Sequence, residues 1–320
     1  MLTTIEDYPY WMALAHLPRW RTERINGLML AIFETHQILL AEFFECTLKD
    51  WQQEFGLNAK EIEDLSTAKA ALPVYVALTE KLLKLEVELI PYLSEHYSPT
   101  LKRNLQIKSA PPLLYTKGDV KLLQEPAVAI VGSRNASARA LEFTRNVAHR
   151  CVQNFEVVVS GFAKGVDQTA LDETLHVNGR SIIVLPKGIL TFSSGFKKYY
   201  EQITAGDVLV GSTYHPKARW DAGLAMGRNV YIYGLAEKIY VAESNFEGGT
   251  WSGVVDGLKK GRTIYVRQPE ADEKNANQIL IAKGAIPVDM SGNPIKESDR
   301  QQPDPQTQEK PVQYDLFAKK

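Results

Sequence analysis

The sequence predicts an α/β fold: an open, mostly parallel sheet with helices on both faces, preceded by a small helical domain. Three observations carry that reading. Short apolar, β-branched runs such as Ala127–Val131 and Val157–Val159 end in small residues and then give way to helical patterns, as buried parallel strands do. Strand-like and helix-like segments alternate from residue 127 to residue 266, the order of a β-α-β sheet. Up to about residue 100, apolar residues recur instead at three-and-four spacing, the period of packed helices.

In chain order, helical periodicity runs through Tyr10–His16, Ile25–Phe33, Ile38–Phe44 and Val74–Leu93. Leu17-Pro18-Arg19 and Phe55-Gly56-Leu57-Asn58 punctuate it, and residues 1–105 are read as the helical domain. The polar run Arg21-Thr22-Glu23-Arg24 after the Leu17-Pro18 turn suits either a helix–turn–helix element touching DNA phosphate or a packing module with a polar turn. The connector Ser109-Ala110-Pro111-Pro112 leads into the sheet domain, residues 106–290. Strands are expected at Ala127–Val131, Val157–Val159, Ser181–Leu185, Val208–Val210, Lys238–Ala242 and Thr263–Val266. Helices are expected at Ala138–Cys151, Asp167–Val177, Trp220–Met226 and Gly253–Lys259. Residues 291–311 are nearly free of aliphatic side chains, so 291–320 is read as a disordered tail, although it ends in the apolar cluster Gln313-Tyr314-Asp315-Leu316-Phe317.

Composition narrows the function. A net charge of −1 over 320 residues argues against a broad basic surface, so any nucleic acid would be held in a local pocket or groove. The two cysteines, Cys46 and Cys151, lack CxxC spacing, which argues against a disulfide framework or a zinc site and fits a reducing cytoplasm. Glu6 and Asp7 stand where a signal peptide would be basic, so none is expected. The longest apolar stretch, residues 25–44, is broken by Glu34-Thr35-His36-Gln37 and reads as buried helix rather than a membrane span. No metal and no cofactor is expected.

The chemistry concentrates in strand-to-helix turns. Gly132-Ser133-Arg134 follows the first strand of the alternating series, and the following residues supply a helix cap. Small residues there let backbone N–H groups approach an oxyanion, the helix start adds its positive end, and Arg134 adds a full charge. The pattern is not G-x-G-x-x-G, so the dinucleotide fingerprint is absent. Ser160-Gly161-Phe162-Ala163-Lys164-Gly165-Val166-Asp167 is the more specific signal. Lys164 is placed either on a phosphate or in solvent, and Asp167 either caps the next helix or holds Arg134 or a ligand hydroxyl. Lys187-Gly188 ends a third strand with the same character. Arg228-Asn229 and the turn Gly248-Gly249-Thr250 complete the set. Several such turns on one sheet edge point to a shared pocket for a phosphate-bearing ligand.

These stretches resemble the DNA-processing protein A (DprA/Smf) family. The resemblance covers residues 106–288, a Rossmann-like core, through Pro112–Gly118, Val128–Arg134, Ser160–Asp167, Ser181–Gly188, Arg228–Ala236, Val241–Glu243 and Asn277–Ala285. The helical N-terminus, with Trp11–Pro18, is similar to the domain that precedes this core in many members. The resemblance implies non-catalytic binding of DNA, single strands favoured, with a recombinase partner in transformable bacteria and a homodimer. Departures are visible. The family's Arg-Asn-Arg reads Arg228-Asn229-Val230, its Ser-Glu reads Ser212-Thr213, and no winged-helix pattern follows the core. They bear on recombinase loading more than on DNA binding, and they leave room for a phage-defence role in which the chain restrains a toxin, such as a phosphoribosyltransferase-like enzyme. A nucleotide hydrolase is the competing class; Gly248-Gly249-Thr250-Trp251 keeps part of such a turn, and Glu243 or Asp221 would supply the carboxylate. Separately, Gln313, Asp315, Leu316 and Phe317 resemble the peptide with which bacterial proteins dock into the replicative sliding clamp.

Overall fold

A computed structural model describes residues 4–296. One nine-stranded sheet organises them, with strands β1 (Glu88–Pro91), β2 (Leu113–Lys117), β3 (Ala127–Val131), β4 (Val157–Ser160), β5 (Ser181–Val184), β6 (Val208–Ser212), β7 (Lys238–Val241), β8 (Ile264–Arg267) and β9 (Ile286–Val288). Their spatial order is β1-β2-β6-β5-β4-β3-β7-β8-β9. Strands β6 through β9 in that order are parallel, and β2 and β1 close one edge antiparallel. The six expected strands all form. Those from β3 to β5 are buried at every position, which is why they read as continuous apolar runs.

The helices are α1 (Tyr8–Ala15), α2 (Thr22–Leu30), α3 (Leu40–Glu45), α4 (Leu48–Gln53), α5 (Ala59–Ala70), α6 (Leu72–Lys84) and α7 (Pro99–Ser109) in the N-terminal part. In the sheet region they are α8 (Ala138–Gln153), α9 (Val166–His176), α10 (Ser193–Lys198), α11 (Tyr200–Ala205), α12 (Ala222–Leu235), α13 (Gly249–Lys259) and α14 (Asn277–Ala282). Alternate residues of each central strand face opposite layers. Ile183 packs with the N-terminal helices, Val128 and Ile130 pack with α8 and α9, and Ala129 and Val159 pack with α7, α12 and α13 on the other face. No helix among the described residues is long and apolar enough to cross a membrane.

Two expectations are corrected. The helix expected over Val74–Leu93 ends at Lys84, and Glu88–Pro91 is strand β1, paired with β2. Glu86 takes a left-handed φ of 54°, which breaks the helix, and Leu89 and Ile90 are then buried on the sheet. The helix expected over Trp220–Met226 starts instead at Ala222, capped by Asp221, and continues through Arg228-Asn229 to Leu235. Its aromatic and β-branched second half is helical because tertiary packing of Ile232, Tyr233 and Leu235 overrides local preference. The polar turn after Leu17 packs against α5: Arg24 pairs with Glu61 at 2.7 Å, and the Trp20 indole donates to Asp64.

Candidate functional site

Chain order reverses across the sheet at β3: β4, β5 and β6 step away on one side and β7, β8 and β9 on the other. At such a switch point the loops leaving neighbouring strands splay apart and open a crevice at the carboxyl edge. Here the crevice is a cleft of about 440 Å³ bounded by the turns after β3, β4 and β7 and by α12. A second cleft of about 450 Å³, over the ends of β4 and β5, shares Arg134, Asn135, Ala163, Trp220, Ala225 and Arg228 with it. The two form one groove.

Close backbone packing shapes the groove. Gly165, the N-cap of α9, has φ 78°, and a Cβ there would meet the carbonyl oxygens of Ser133 and Arg134. The two glycine turns therefore touch main chain to main chain. Ser133 donates its N–H to the Glu243 carbonyl at 2.8 Å, and Thr250 donates its hydroxyl to the Gly132 carbonyl at 3.1 Å. These bonds tie the turns after β3 and β7 together. The N-terminal turn of α13 begins at Gly248, φ 94°, and Gly248, Gly249 and Thr250 line the first cleft. Its free N–H groups and dipole favour an anion there.

Arg228 joins the two halves. It sits on α12, 3 % exposed, and its Nη1 donates to the Val184 carbonyl at 3.1 Å, while its Nε has no partner. Burial lowers its pKa; the carboxylate of Asp167 opposes that effect. Asp167 is itself buried, which raises its pKa, against the pull of Arg228 and of the Ala163 and Gly161 backbone. Tyr233, one turn further along α12, also lines the first cleft, and its buried hydroxyl is likewise without a partner. An unpaired buried donor costs on the order of 1–3 kcal/mol, and two of them, the Arg228 Nε and the Tyr233 hydroxyl, belong to side chains that line this cleft.

The remaining cations are more accessible. Arg134 is exposed and borders both halves, and Lys164 is exposed over the second. Lys187 also borders the second half but donates its Nζ to the Thr191 carbonyl at 2.9 Å. Asn229 lines the first half, its amide packed over Gly249, and Gly161 lines the second. The carboxylates lining the first cleft are Asp167 and the exposed Glu247.

Other expected residues serve the scaffold. The Ser160 hydroxyl donates to the Ile130 carbonyl at 3.0 Å, and Gly188 lies against the His215 and Pro216 backbone. Neither borders the groove. Ser133, by contrast, lines the first cleft with Gly132, and its hydroxyl accepts from the Asn135 N–H. Glu243 accepts from the Ser137 N–H at the start of α8, and Asp221 caps α12, so both candidate hydrolase carboxylates are engaged at helix starts and neither lines the groove. Phe162 packs edge-on against Phe192 and Tyr199, and Tyr231 is partly buried against the core beneath α12. Trp220, between Arg219 and Asp221, is 55 % exposed and borders both halves of the groove. Gln313, Asp315, Leu316 and Phe317 lie outside the described residues.

Comparison with known proteins is consistent along most of the chain. The sequence profile of the family described as DNA recombination-mediator protein A matches residues 88–298. The DNA processing protein DprA of Streptococcus pneumoniae is 32 % identical over 160 residues, 50 % of this chain and 56 % of that protein. The chain thus matches a little over half the length of that relative. Protein Smf of Synechocystis is 28 % identical over 305 residues, 88 % of this chain and 74 % of that protein. The solved structure of S. pneumoniae DprA superposes with a TM-score of 0.70 at 25 % identity, covering 91 % of this chain and 96 % of that one. DNA processing protein A of Helicobacter pylori superposes with a TM-score of 0.54 at 24 % identity, covering 63 % of this chain and 90 % of that one.

Proposed function

Because the chain belongs to the DNA recombination-mediator protein A family, we propose that it is a non-catalytic DNA-binding protein that holds single-stranded DNA in the groove at the carboxyl edge of its sheet. The observation that carries the reading is the Arg228 guanidinium, which with the exposed Arg134 stands where both halves of the groove meet. Phosphodiester oxygens complement these charges, and the α13 N-terminus faces the same space. Lys164 and Lys187 extend the positive track along the second half, and Trp220 offers a stacking surface beside it. A groove of this kind suits a strand whose bases are accessible. The H. pylori relative is described as having a single-stranded DNA-binding mode, which supports the choice of strand.

The tail peptide Gln313–Phe317 supplies a separate proposed function, docking to the sliding clamp, carried by its sequence alone. Fluorescence anisotropy with labelled single-stranded and duplex oligonucleotides tests the main reading. Tighter, salt-sensitive binding of the single strand is expected; equal or absent binding of both forms contradicts it.

A further inference from the structure

A separate cleft of about 530 Å³ lies beside α10, which divides it from the groove. Ser194 of α10 borders the groove, whereas Ser193, Phe196 and Lys197 of the same helix border this cleft. Its other walls are Leu85, Val87 and Lys117, where α6 ends and β1 pairs with β2, together with Leu190 and Tyr200. Leu85 is 45 % exposed and Tyr200 62 %, so large apolar side chains stand in water at one contiguous rim. The rim is held in place. Glu86 takes its left-handed φ of 54° there, and Lys117 donates its Nζ to the Leu85 carbonyl at 2.6 Å and pairs with Glu86 at 3.1 Å. Phe196 is fixed edge-on against the buried Phe192, ring centroids 5.3 Å apart. Lys117 is thus engaged by Glu86, and Lys198 by Asp172; the exposed Lys197 is the cation left unengaged at this cleft among the described residues.

An apolar cleft with one free cation at its edge suits a short segment that carries an acid beside large apolar side chains. Beyond Lys296 this chain has one such segment: Tyr314, Leu316 and Phe317 are its only leucine or aromatic residues there, and Asp315 stands among them. We propose that residues 314–317 dock in this cleft of their own chain, with Leu316 and Phe317 against Phe196 and Tyr200 and with Asp315 paired to Lys197. The chain is long enough. Lys296 follows β9, the cleft adjoins β2, and the seven strand spacings between them come to about 33 Å. Nineteen residues lead from Lys296 to Asp315, a reach of about 60 Å when extended. The docked residues are those of the clamp-like peptide, so a segment held in the cleft is withheld from a clamp. Docking itself needs no clamp, and it stands or falls separately from that reading and from the groove.

Disulfide trapping in the full chain, on a Cys46→Ser background, tests the docking. Ala318→Cys is combined either with Ser193→Cys, exposed beside the cleft, or with Ser252→Cys, exposed on α13. Helix α13 packs on β8, the neighbour of β9, so an undocked tail meets Ser252→Cys at least as readily. Ser193→Cys is expected to trap the tail within one chain roughly tenfold faster than Ser252→Cys. Lys197→Glu and Tyr200→Ala are expected to slow trapping at position 193 to the rate at position 252. Both side chains are exposed, so these substitutions should leave the fold intact. Asp315→Lys is expected to restore fast trapping in the Lys197→Glu chain. Equal rates at the two cysteines overturn the inference, as does fast trapping that survives both Lys197→Glu and Tyr200→Ala. Disulfides that form only between chains also overturn it, and assign the cleft to the tail of a second copy.

Discussion

The guanidinium of Arg228 occupies the space that a Cβ at Gly161 would fill. The turn after β4 and the middle of α12 thus fit each other, and the glycine exists to admit the arginine. Gly161→Ala is expected to displace Arg228 from the Val184 carbonyl and to lower affinity for single-stranded DNA by roughly tenfold or more, in line with the ~1.5–3 kcal/mol of a hydrogen bond to a charged group. Anisotropy titration, with circular dichroism to confirm an intact fold, checks it.

Trp220 is the exposed aromatic surface bordering both halves of the groove. Trp220→Ala is expected to weaken single-strand binding by about 1–3 kcal/mol, the range for one base stacked on an aromatic side chain. As an exposed side chain it should leave stability within about 0.5 kcal/mol, so thermal unfolding separates the two effects.

The strands were legible because buried parallel strands are written as unbroken apolar runs, and Gly132, Arg134, Gly161 and Asp167 were legible because a strand-to-helix turn announces itself. Strand β1 was hidden because Glu88-Leu89-Ile90-Pro91 follows a helix in a run of leucines, and the break at Glu86 depends on no glycine or proline. The roles of Ser160 and Gly188 depend on a backbone carbonyl and a loop far away in sequence, which no local pattern records. The place of Trp220 beside the groove needed the third dimension: nothing in the polar segment around it says which way it faces.

His16, the C-cap of α1, bonds the Tyr115 hydroxyl on β2 at 2.7 Å, and His215 meets it edge-on. Burial, then the nearby His215, lowers its pKa to about 3. The folded state therefore keeps His16 neutral while the unfolded chain takes up a proton below its ordinary 6.5. The stability His16 contributes is complete above that value and is lost as pH falls from it toward 3. Urea unfolding at pH 7 and pH 5 should show a loss on the order of 2 kcal/mol, and His16→Gln should show a smaller one.

Deletion of residues 312–320 removes the clamp-like peptide and leaves the groove intact. Single-strand affinity is expected to be unchanged, and binding to immobilised sliding clamp is expected to disappear. Absence of clamp binding by the full chain contradicts the tail assignment without touching the groove.

The central claim is that cations of one groove hold a single strand, and Arg134 is its accessible member, bordering both halves. The most direct measurement is anisotropy of a labelled single-stranded oligonucleotide with wild type and Arg134→Ala at two salt concentrations. The account predicts weaker binding by the variant and a log–log salt slope smaller by about 0.7, the contribution of one phosphate contact on a single strand. An affinity and a slope identical to wild type would contradict it.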